Sequence, residues 1–143
     1  MAGLETIGVR VEGPGGSPET TQNALPVLHE IRHALERLAE RDESTTIDLS
    51  TIPFAPGDRE ELFHVLGQGE VEATLDALGK TRISESAYPG VWLVQHLSTD
   101  DQVLTTQIEV TRLPSLLVTP EADLPDAIAA LGARLNGQTG PNN

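Results

Sequence analysis

Residues 71–113 decide the fold, and they read VEATLDALGKTRISESAYPGVWLVQHLSTDDQVLTTQIEVTRL. Apolar residues alternate with polar ones over Val71–Ala77, which is the period-two pattern of a half-buried strand. Gly79-Lys80 is a credible hairpin turn, and further turn sequences separate three more strand-like runs, at 81–87, 91–97 and 103–113. The stretch therefore predicts four consecutive antiparallel strands.

Helical patterns flank this meander on both sides. The first helix is predicted from Ala24 to about Arg41, with Asn23 as its cap and one apolar stripe formed by Ala24, Val27, Leu28, Ile31, Leu35 and Leu38. After a short strand at 44–49, a second helix is predicted from Asp58, as the capping residue, to Gly67, with core candidates Leu62, Phe63, Val65 and Leu66. A third is predicted at 123–135, with a buried face of Leu124, Ile128, Leu131 and Leu135. The predicted class is α+β: an antiparallel β-meander of about four strands with helices packed on one face.

The length of 143 residues is that of one ordinary domain. The composition predicts an N-terminal extension with a flexible Gly/Pro loop at 1–23, a single α+β domain at 24–135 and a disordered tail at 136–143. The chain contains no run of 18 apolar residues, and charged residues interrupt the first eleven positions where a secretory signal needs an apolar core. We therefore expect a cytoplasmic protein that does not enter a membrane.

The charge balance restricts the partners. With 22 acidic and 9 basic residues the formal net charge is −13, which disfavours nucleic acid and anionic membranes but allows a basic protein partner. The chain has no cysteine, so it forms no disulfide and provides no thiolate ligand for zinc or an iron-sulfur cluster. The sequence therefore predicts no cofactor.

One apparent metal motif stands in the first helix. His29-Glu30-Ile31-Arg32-His33 matches H-E-x-x-H, which on a helix holds zinc with the glutamate as general base. The helical periodicity, however, places His29 and His33 roughly 150° away from the apolar stripe, towards solvent. The longer continuation that would supply a third ligand is also absent. We expect no metal site here, and a zinc-dependent hydrolase built on His29, Glu30 and His33 is kept as an alternative function.

The sequence also lacks the other common catalytic patterns. It has no nucleophile elbow, no P-loop and no glycine-rich dinucleotide motif. His64 and His96 belong to separate elements, and without cysteine they do not form a recognisable triad. The sequence therefore offers no candidate catalytic residues.

Three stretches are less generic than the rest: LGQGEV at 66–71, ESAYPGVW at 85–92 and QIEV at 107–110. In this order and spacing they resemble the HupH/HyaF family of [NiFe]-hydrogenase expression proteins, over about residues 47–113. The resemblance implies a non-enzymatic chaperone in maturation of an uptake hydrogenase, which assists the iron-sulfur small subunit before its export by the twin-arginine route. A purely structural interaction module remains the other alternative.

The candidate site residues come from the same stretches. Gly67 and Gly69 are predicted to serve a helix end and a strand entry that need positive φ, and Pro89 and Gly90 to form a turn. The partner-binding candidates are Glu70, Glu85, Tyr88, Trp92 and Glu109. The three glutamates recur at predicted strand positions where a structural role requires no carboxylate. Trp92, the only tryptophan, is also a natural core residue.

The resemblance has a further implication for assembly. Familiar members of the family are about twice as long and carry the motif-bearing region in duplicate, whereas this chain has one copy. A four-stranded meander also leaves an exposed edge at each end, and an exposed edge is a template for pairing with a second copy. We therefore expect a symmetric homodimer, with the sheet face or the Val103–Leu113 edge at the two-fold axis.

Overall fold

The computed structural model describes residues 22–76 and 79–137. The chain divides after Arg112 into two compact units, Met1–Arg112 and Leu113–Asn143, which are described separately. The predicted N-terminal extension and C-terminal tail lie outside the described residues except for positions 22, 23, 136 and 137. Within the described ranges, no helix combines the length and the apolar character that crossing a membrane requires.

The first unit is built on an antiparallel sheet. Its described strands are β1 (Thr45–Asp48), β2 (Glu72–Asp76), β3 (Lys80–Glu85), β4 (Val91–Leu97) and β5 (Val103–Val110). They lie side by side in the order β1-β5-β4-β3-β2. The predicted α+β class is confirmed, and β2 to β5 form the predicted meander. The sheet has a fifth strand because β1 joins it beside β5.

The pairing of β1 with β5 changes the edges of the sheet. Thr45 lies opposite Val110 and Ile47 opposite Ile108, so β5 is an inner strand. The prediction that Val103–Leu113 is an exposed edge is therefore wrong over Gln107–Val110, which β1 covers, and the strand ends at Val110. Among the described strands, the edges are β1 and β2.

Helix α1 spans Ala24–Arg41, as predicted. It buries Ala24, Val27, Ile31, Ala34 and Leu38, while Leu28 and Leu35 pack partly buried against the same core. Asn23 precedes the helix but makes no capping hydrogen bond with its side chain; its amide nitrogen instead donates to the carbonyl oxygen of Pro53 at 2.7 Å. The helix ends where Asp42 turns left-handed, with a φ of 57°.

Helix α2 spans Pro56–Leu66 and begins two residues before the predicted start. Asp58 is therefore its third residue, and the fully buried carboxylate accepts hydrogen bonds from the backbone N–H of Ala55 at 3.0 Å and of Gln22 at 2.9 Å. Proline suits the first helical position because it has no N–H to leave unpaired there. Leu62 and Leu66 are buried as predicted, whereas Val65 is exposed.

The main core lies between the two helices and one face of the sheet. The buried residues of α1 and α2 pack against Ile47, Leu49, Val91, Ile108 and Val110. Because side chains alternate along a strand, the neighbours Ile83 and Val94 point to the opposite face. Both are fully buried as well, so the middle of the sheet is shielded from water on both faces.

The second unit contains a 3₁₀ turn at Ser115–Leu117 and helix α3, Asp123–Leu135. The predicted bounds of α3 are confirmed. Its four large apolar residues, however, are 50–76% exposed, namely Leu124, Ile128, Leu131 and Leu135. The prediction that they form a face buried within the chain is therefore wrong. An amphipathic pattern identifies the apolar face of a helix but not the surface that covers it.

Candidate functional site

The segment after α2 is joined to the end of β3 by backbone hydrogen bonds. The carbonyl oxygen of Leu66 accepts a hydrogen bond from the N–H of Ala87 at 2.7 Å. This bond joins the C-terminal end of α2 to the β3–β4 turn. Gly69 donates to the carbonyl oxygen of Glu85 at 2.7 Å, and the N–H of Glu85 donates to Val71 at 2.9 Å. The sequence stretches 66–71 and 85–92 therefore form one continuous surface.

The two glycines of this segment have different roles. Gly67 has a φ of 63°, which favours glycine, and it ends α2 as predicted. Gly69 is not among the positive-φ glycines, so that part of the prediction is wrong. A Cβ at Gly69 would lie 2.4 Å from the carbonyl oxygen of Ser86 and 2.9 Å from Oε1 of Glu85. Gly69 is therefore required by the close approach of two backbone segments.

Replacement of Gly69 by alanine is accordingly expected to lower the free energy of unfolding by about 1–3 kcal/mol, the usual effect of overpacking a closely packed site. Urea denaturation measures the change. Gly132→Ala in α3 is the matched control, because a Cβ there meets nothing within 4 Å. The control should be neutral or stabilising, since alanine favours helix by about 1 kcal/mol over glycine. Equal stability of Gly69→Ala and the unmodified chain would contradict the close-approach explanation.

The β3–β4 turn holds Tyr88 in place by its backbone. Buried Ser86 accepts a hydrogen bond from the N–H of Tyr88 at 3.0 Å through its hydroxyl oxygen, and Val91 donates to the carbonyl oxygen of Tyr88 at 3.0 Å. Gly90 has a positive φ of 94°, which agrees with its predicted position in a turn. The Tyr88 side chain is 47% exposed, and Pro89 beside it is exposed too. The turn therefore presents an aromatic ring to solvent on a fixed backbone.

Three of the candidate residues form a row across three strands. Trp92 in β4 lies directly opposite Glu85 in β3 and Glu109 in β5, so all three share one face of the sheet. The indole is only 6% exposed, and its Nε1 donates to the carbonyl oxygen of Thr111 at 3.0 Å. Two half-buried carboxylates therefore flank a tryptophan that packs in the protein interior.

Glu70 occupies a different position from the other two glutamates. It lies in the exposed loop before β2, next to Gly69 and the backbone of Glu85. We call residues 66–71, 85–92 and 107–110 together the motif cluster, because β5 residues 107–110 pair with Val91–Val94 and so join the same surface. All five partner-binding candidates lie in this cluster.

The environment of Glu109 is unfavourable for its negative charge. Burial raises the pKa of the Glu109 carboxyl above its ordinary value, and the electrostatic interaction with nearby His96 opposes part of that rise. When the pKa of an acid is raised in the folded state, its protonated form favours folding. This contribution of Glu109 to the free energy of unfolding is complete below the ordinary pKa and is lost as the pH rises through the shifted pKa. The charged form of Glu109 therefore destabilises the fold at neutral pH.

Glu109→Gln is expected to raise the melting temperature at pH 7 and to leave it nearly unchanged at about pH 4, where most carboxyl groups become protonated. Thermal unfolding at a series of pH values tests this. Glu40→Gln, at an exposed position of α1, removes the same charge elsewhere. A Glu109→Gln protein that is less stable than the Glu40→Gln protein at pH 7 would show that the carboxylate has a structural role.

A cleft of about 530 Å³ adjoins the motif cluster. It lies between the end of α2 and the strands β2 to β4, and its lining includes Phe63, Leu66, Gln68, Glu72, Arg82 and Gln95. Sequence reasoning missed it. The sequence feature that could have indicated the cleft is a set of polar residues at neighbouring strand positions. Arg82 lies opposite both Gln95 and Thr74, on the face of the sheet that is apolar elsewhere.

The histidines are not brought together at one point, although His64 lines the cleft. His29 and His33 are exposed on α1, as their helical position predicts, and Nδ1 of His96 lies 2.9 Å from the hydroxyl oxygen of Thr81. In the ranges 22–76 and 79–137, no three His, Cys, Asp or Glu side chains are close enough together to hold a metal ion.

Comparison with known proteins gives the family. Residues 21–137 match the model described as HupH hydrogenase expression protein, C-terminal conserved region. The chain belongs to the HupH family. The hydrogenase expression/formation protein HoxQ of Azotobacter vinelandii is 36% identical over 119 residues, which are 82% of this chain and 42% of that protein. HupH of Rhodobacter capsulatus is 33% identical over 81 residues, or 57% of this chain and 30% of the relative.

This HupH-family chain therefore spans less than half the length of these relatives. A solved structure is similar over a larger share: hydrogenase expression protein HupH from Thiobacillus denitrificans ATCC 25259. It is 44% identical with a TM-score of 0.78, and the match covers 82% of this chain and 98% of that chain. The suspected HupH/HyaF resemblance and the α+β fold are thus confirmed.

Proposed function

We propose that the protein is an accessory protein in the maturation of an uptake [NiFe]-hydrogenase and that it binds the immature iron-sulfur small subunit in the cytoplasm, before export. The relatives named above are hydrogenase expression or formation proteins, which supports a role in making the hydrogenase. In this proposal the protein acts as a chaperone, by binding its client, and carries out no chemical reaction itself.

The observation that carries the proposal is the convergence of the three family stretches into the motif cluster. Backbone hydrogen bonds hold the cluster together, and its turn presents Tyr88 on a fixed backbone. Tyrosine supplies a large contact area with a polar end and loses little side-chain entropy on binding. A rigid, partly apolar surface of this kind suits recognition of another protein.

Charge favours a basic client segment. The chain carries a net charge of −13, and the half-buried carboxylates of Glu85 and Glu109 lie within the cluster. Arginine guanidinium groups form two parallel hydrogen bonds with a carboxylate, and such bonds are stronger where water is partly excluded. A twin-arginine signal region provides two guanidiniums, so we propose that the small-subunit precursor is the client.

Titration of the purified chain with the small-subunit precursor tests the function, with the large subunit as comparison. We expect binding to the small-subunit precursor, with an affinity that falls as ionic strength rises, because salt screens attraction between opposite charges. Binding to the large subunit alone would contradict the choice of client. An affinity that is the same at low and high salt would contradict the role of charge.

Glu85→Gln is expected to weaken this binding roughly fivefold, the effect of losing about 1 kcal/mol from one charged contact at the edge of an interface. Glu40→Gln is the control, because it also removes one negative charge from the chain, at an exposed site on α1. Equal affinities of the two variants would mean that only the overall charge matters. The carboxylates of the cluster would then have no specific part in recognition.

A further inference from the structure

The apolar residues of α3 follow the spacing of a coiled-coil seam. Leu124, Ile128, Leu131 and Leu135 are separated by four, three and four positions, which is the alternation of the d and a positions in a heptad repeat. All four lie on one side of the helix, and each is at least half exposed. In contrast to the broad stripe of α1, this narrow seam is typical of a helix that pairs with one other helix.

A helix of this kind needs a partner. Isolated helices of about 12–15 residues are only marginally stable in water, and α3 has 13 residues. In the described structure none of its residues is buried. Contiguous exposed apolar residues of this kind mark surfaces that are covered in the functional protein.

The charges of α3 indicate what covers it. Asp123 and Asp126 lie in the first turn, and Arg134, the only basic residue of the helix, lies in the last. If two copies of α3 pair antiparallel, Arg134 of each lies near Asp123 of the other, and this contact occurs twice. In a parallel pair like charges lie at the same level. Antiparallel pairing also places each helix N-terminus beside the partner's C-terminus, where the helix dipoles attract.

The seam fits this arrangement in detail. Antiparallel coiled-coil layers combine an a residue with a d residue. When Leu124 lies level with Leu135 of the second copy, Ile128 falls level with Leu131 of the second copy, so every layer is an a–d pair. Ala127 and Gly132 flank the seam, and a Cβ at Gly132 would meet open space, so two helices can approach closely.

We propose that the chain forms a homodimer through α3, with two antiparallel copies of the helix at the two-fold axis. The seam replaces the β5 edge as the proposed dimer contact, because β1 covers β5 along Gln107–Val110. This interface lies outside the motif cluster, so the inference is independent of the proposed function.

Sedimentation equilibrium at micromolar concentrations and about 0.15 M salt, which screens the repulsion between two acidic chains, tests the dimer. We expect a mass near twice 15.3 kDa. Ile128→Asp should raise the dissociation constant about 100-fold, because the dimer loses this apolar contact twice. Leu25→Asp, at an exposed leucine of α1, is the control and should leave the dimer intact. A mass near one copy at every concentration, or a dimer that survives Ile128→Asp, would overturn the proposal.

Charge reversal tests the orientation. Asp123→Arg and Arg134→Glu should each weaken the dimer. In either variant, residues 123 and 134 of the two copies carry the same charge, and this contact occurs twice in the dimer. Mixing the two variant proteins should restore dimers, since both contacts in the mixed pair are then between opposite charges. Each chain keeps its own altered helix in the mixture, so a loss of α3 stability does not imitate this rescue. Failure of the mixture to dimerise better than either variant alone would rule out the antiparallel arrangement.

Discussion

Replacement of Trp92 by alanine is expected to lower the free energy of unfolding by about 3–5 kcal/mol, the range found for removal of a buried aromatic side chain. The indole is 6% exposed, and its Nε1 donates to the carbonyl oxygen of Thr111 at 3.0 Å. Domains of ordinary size are stable by only about 5–15 kcal/mol in total, so this variant should be close to unfolding at physiological temperature.

Trp92→Phe separates the two contributions of the indole. Phenylalanine keeps an aromatic ring but lacks the N–H, so a smaller loss of about 1–2 kcal/mol is expected from the hydrogen bond and the lost volume. Denaturation has to be followed by circular dichroism, because Trp92 is the only tryptophan and its fluorescence disappears with it. A loss below about 1 kcal/mol in Trp92→Ala would show that the indole is not an important part of the interior.

Tyr88→Ala is expected to weaken binding of the small-subunit precursor roughly 30-fold, corresponding to about 2 kcal/mol for an interface tyrosine at the centre of its surface. The stability of the chain should change little, because the ring is 47% exposed and the hydrogen bonds of Tyr88 to Ser86 and Val91 involve its backbone. An alanine preserves these backbone bonds.

Leu25→Ala is the matched control for this prediction. Leu25 is a similarly exposed apolar residue at the start of α1. The residues of α1 that lie near Gly90 in the β3–β4 turn are Leu35 and Leu38, which are ten or more positions further along the helix. Leu25 is therefore far along the helix from the turn. The two variants are compared by titration calorimetry after their folding has been checked by circular dichroism. Unchanged affinity in Tyr88→Ala, with normal affinity in the control, would exclude the turn from the binding surface.

Local patterns in the sequence predicted most of the elements of the fold. The bounds of α1, α3 and β4 were predicted to the residue, because their apolar periodicity is bounded by turn residues. The pairing of β1 with β5 was not predicted, because residues 45–48 and 107–110 are about sixty positions apart. No local pattern links them, and the sheet edge was therefore assigned wrongly.

The site was predicted in part. The turn positions of Pro89 and Gly90 follow from local turn chemistry. The row of Glu85, Trp92 and Glu109 could not be predicted, because an irregularity between His96 and Leu97 shifts the pairing of β4 with β5 by one residue. The role of Gly69 could not be predicted, because a close approach between segments is visible only in three dimensions.

Side-chain partners were also beyond the sequence. Asn23 and Asp58 are residue types that cap helices, and Asp58 does accept locally from the N–H of Ala55 at the start of α2. The bonds of Asn23 to Pro53 and of Asp58 to Gln22 are long-range contacts that no local pattern predicts. The same holds for α3, whose apolar face was recognised while its covering surface was not. In each case local chemistry predicts the element, and the long-range partner requires the structure.

Hydrogen exchange of the complex with the small-subunit precursor tests the central claim, that the motif cluster is the binding surface. Exchange is compared between the free chain and the complex, peptide by peptide. The proposal predicts added protection in peptides that cover 66–71 and 85–92, and little change in peptides from the outer, charged part of α1. Added protection confined to other parts of the chain, with 66–71 and 85–92 unchanged in a saturated complex, would contradict it.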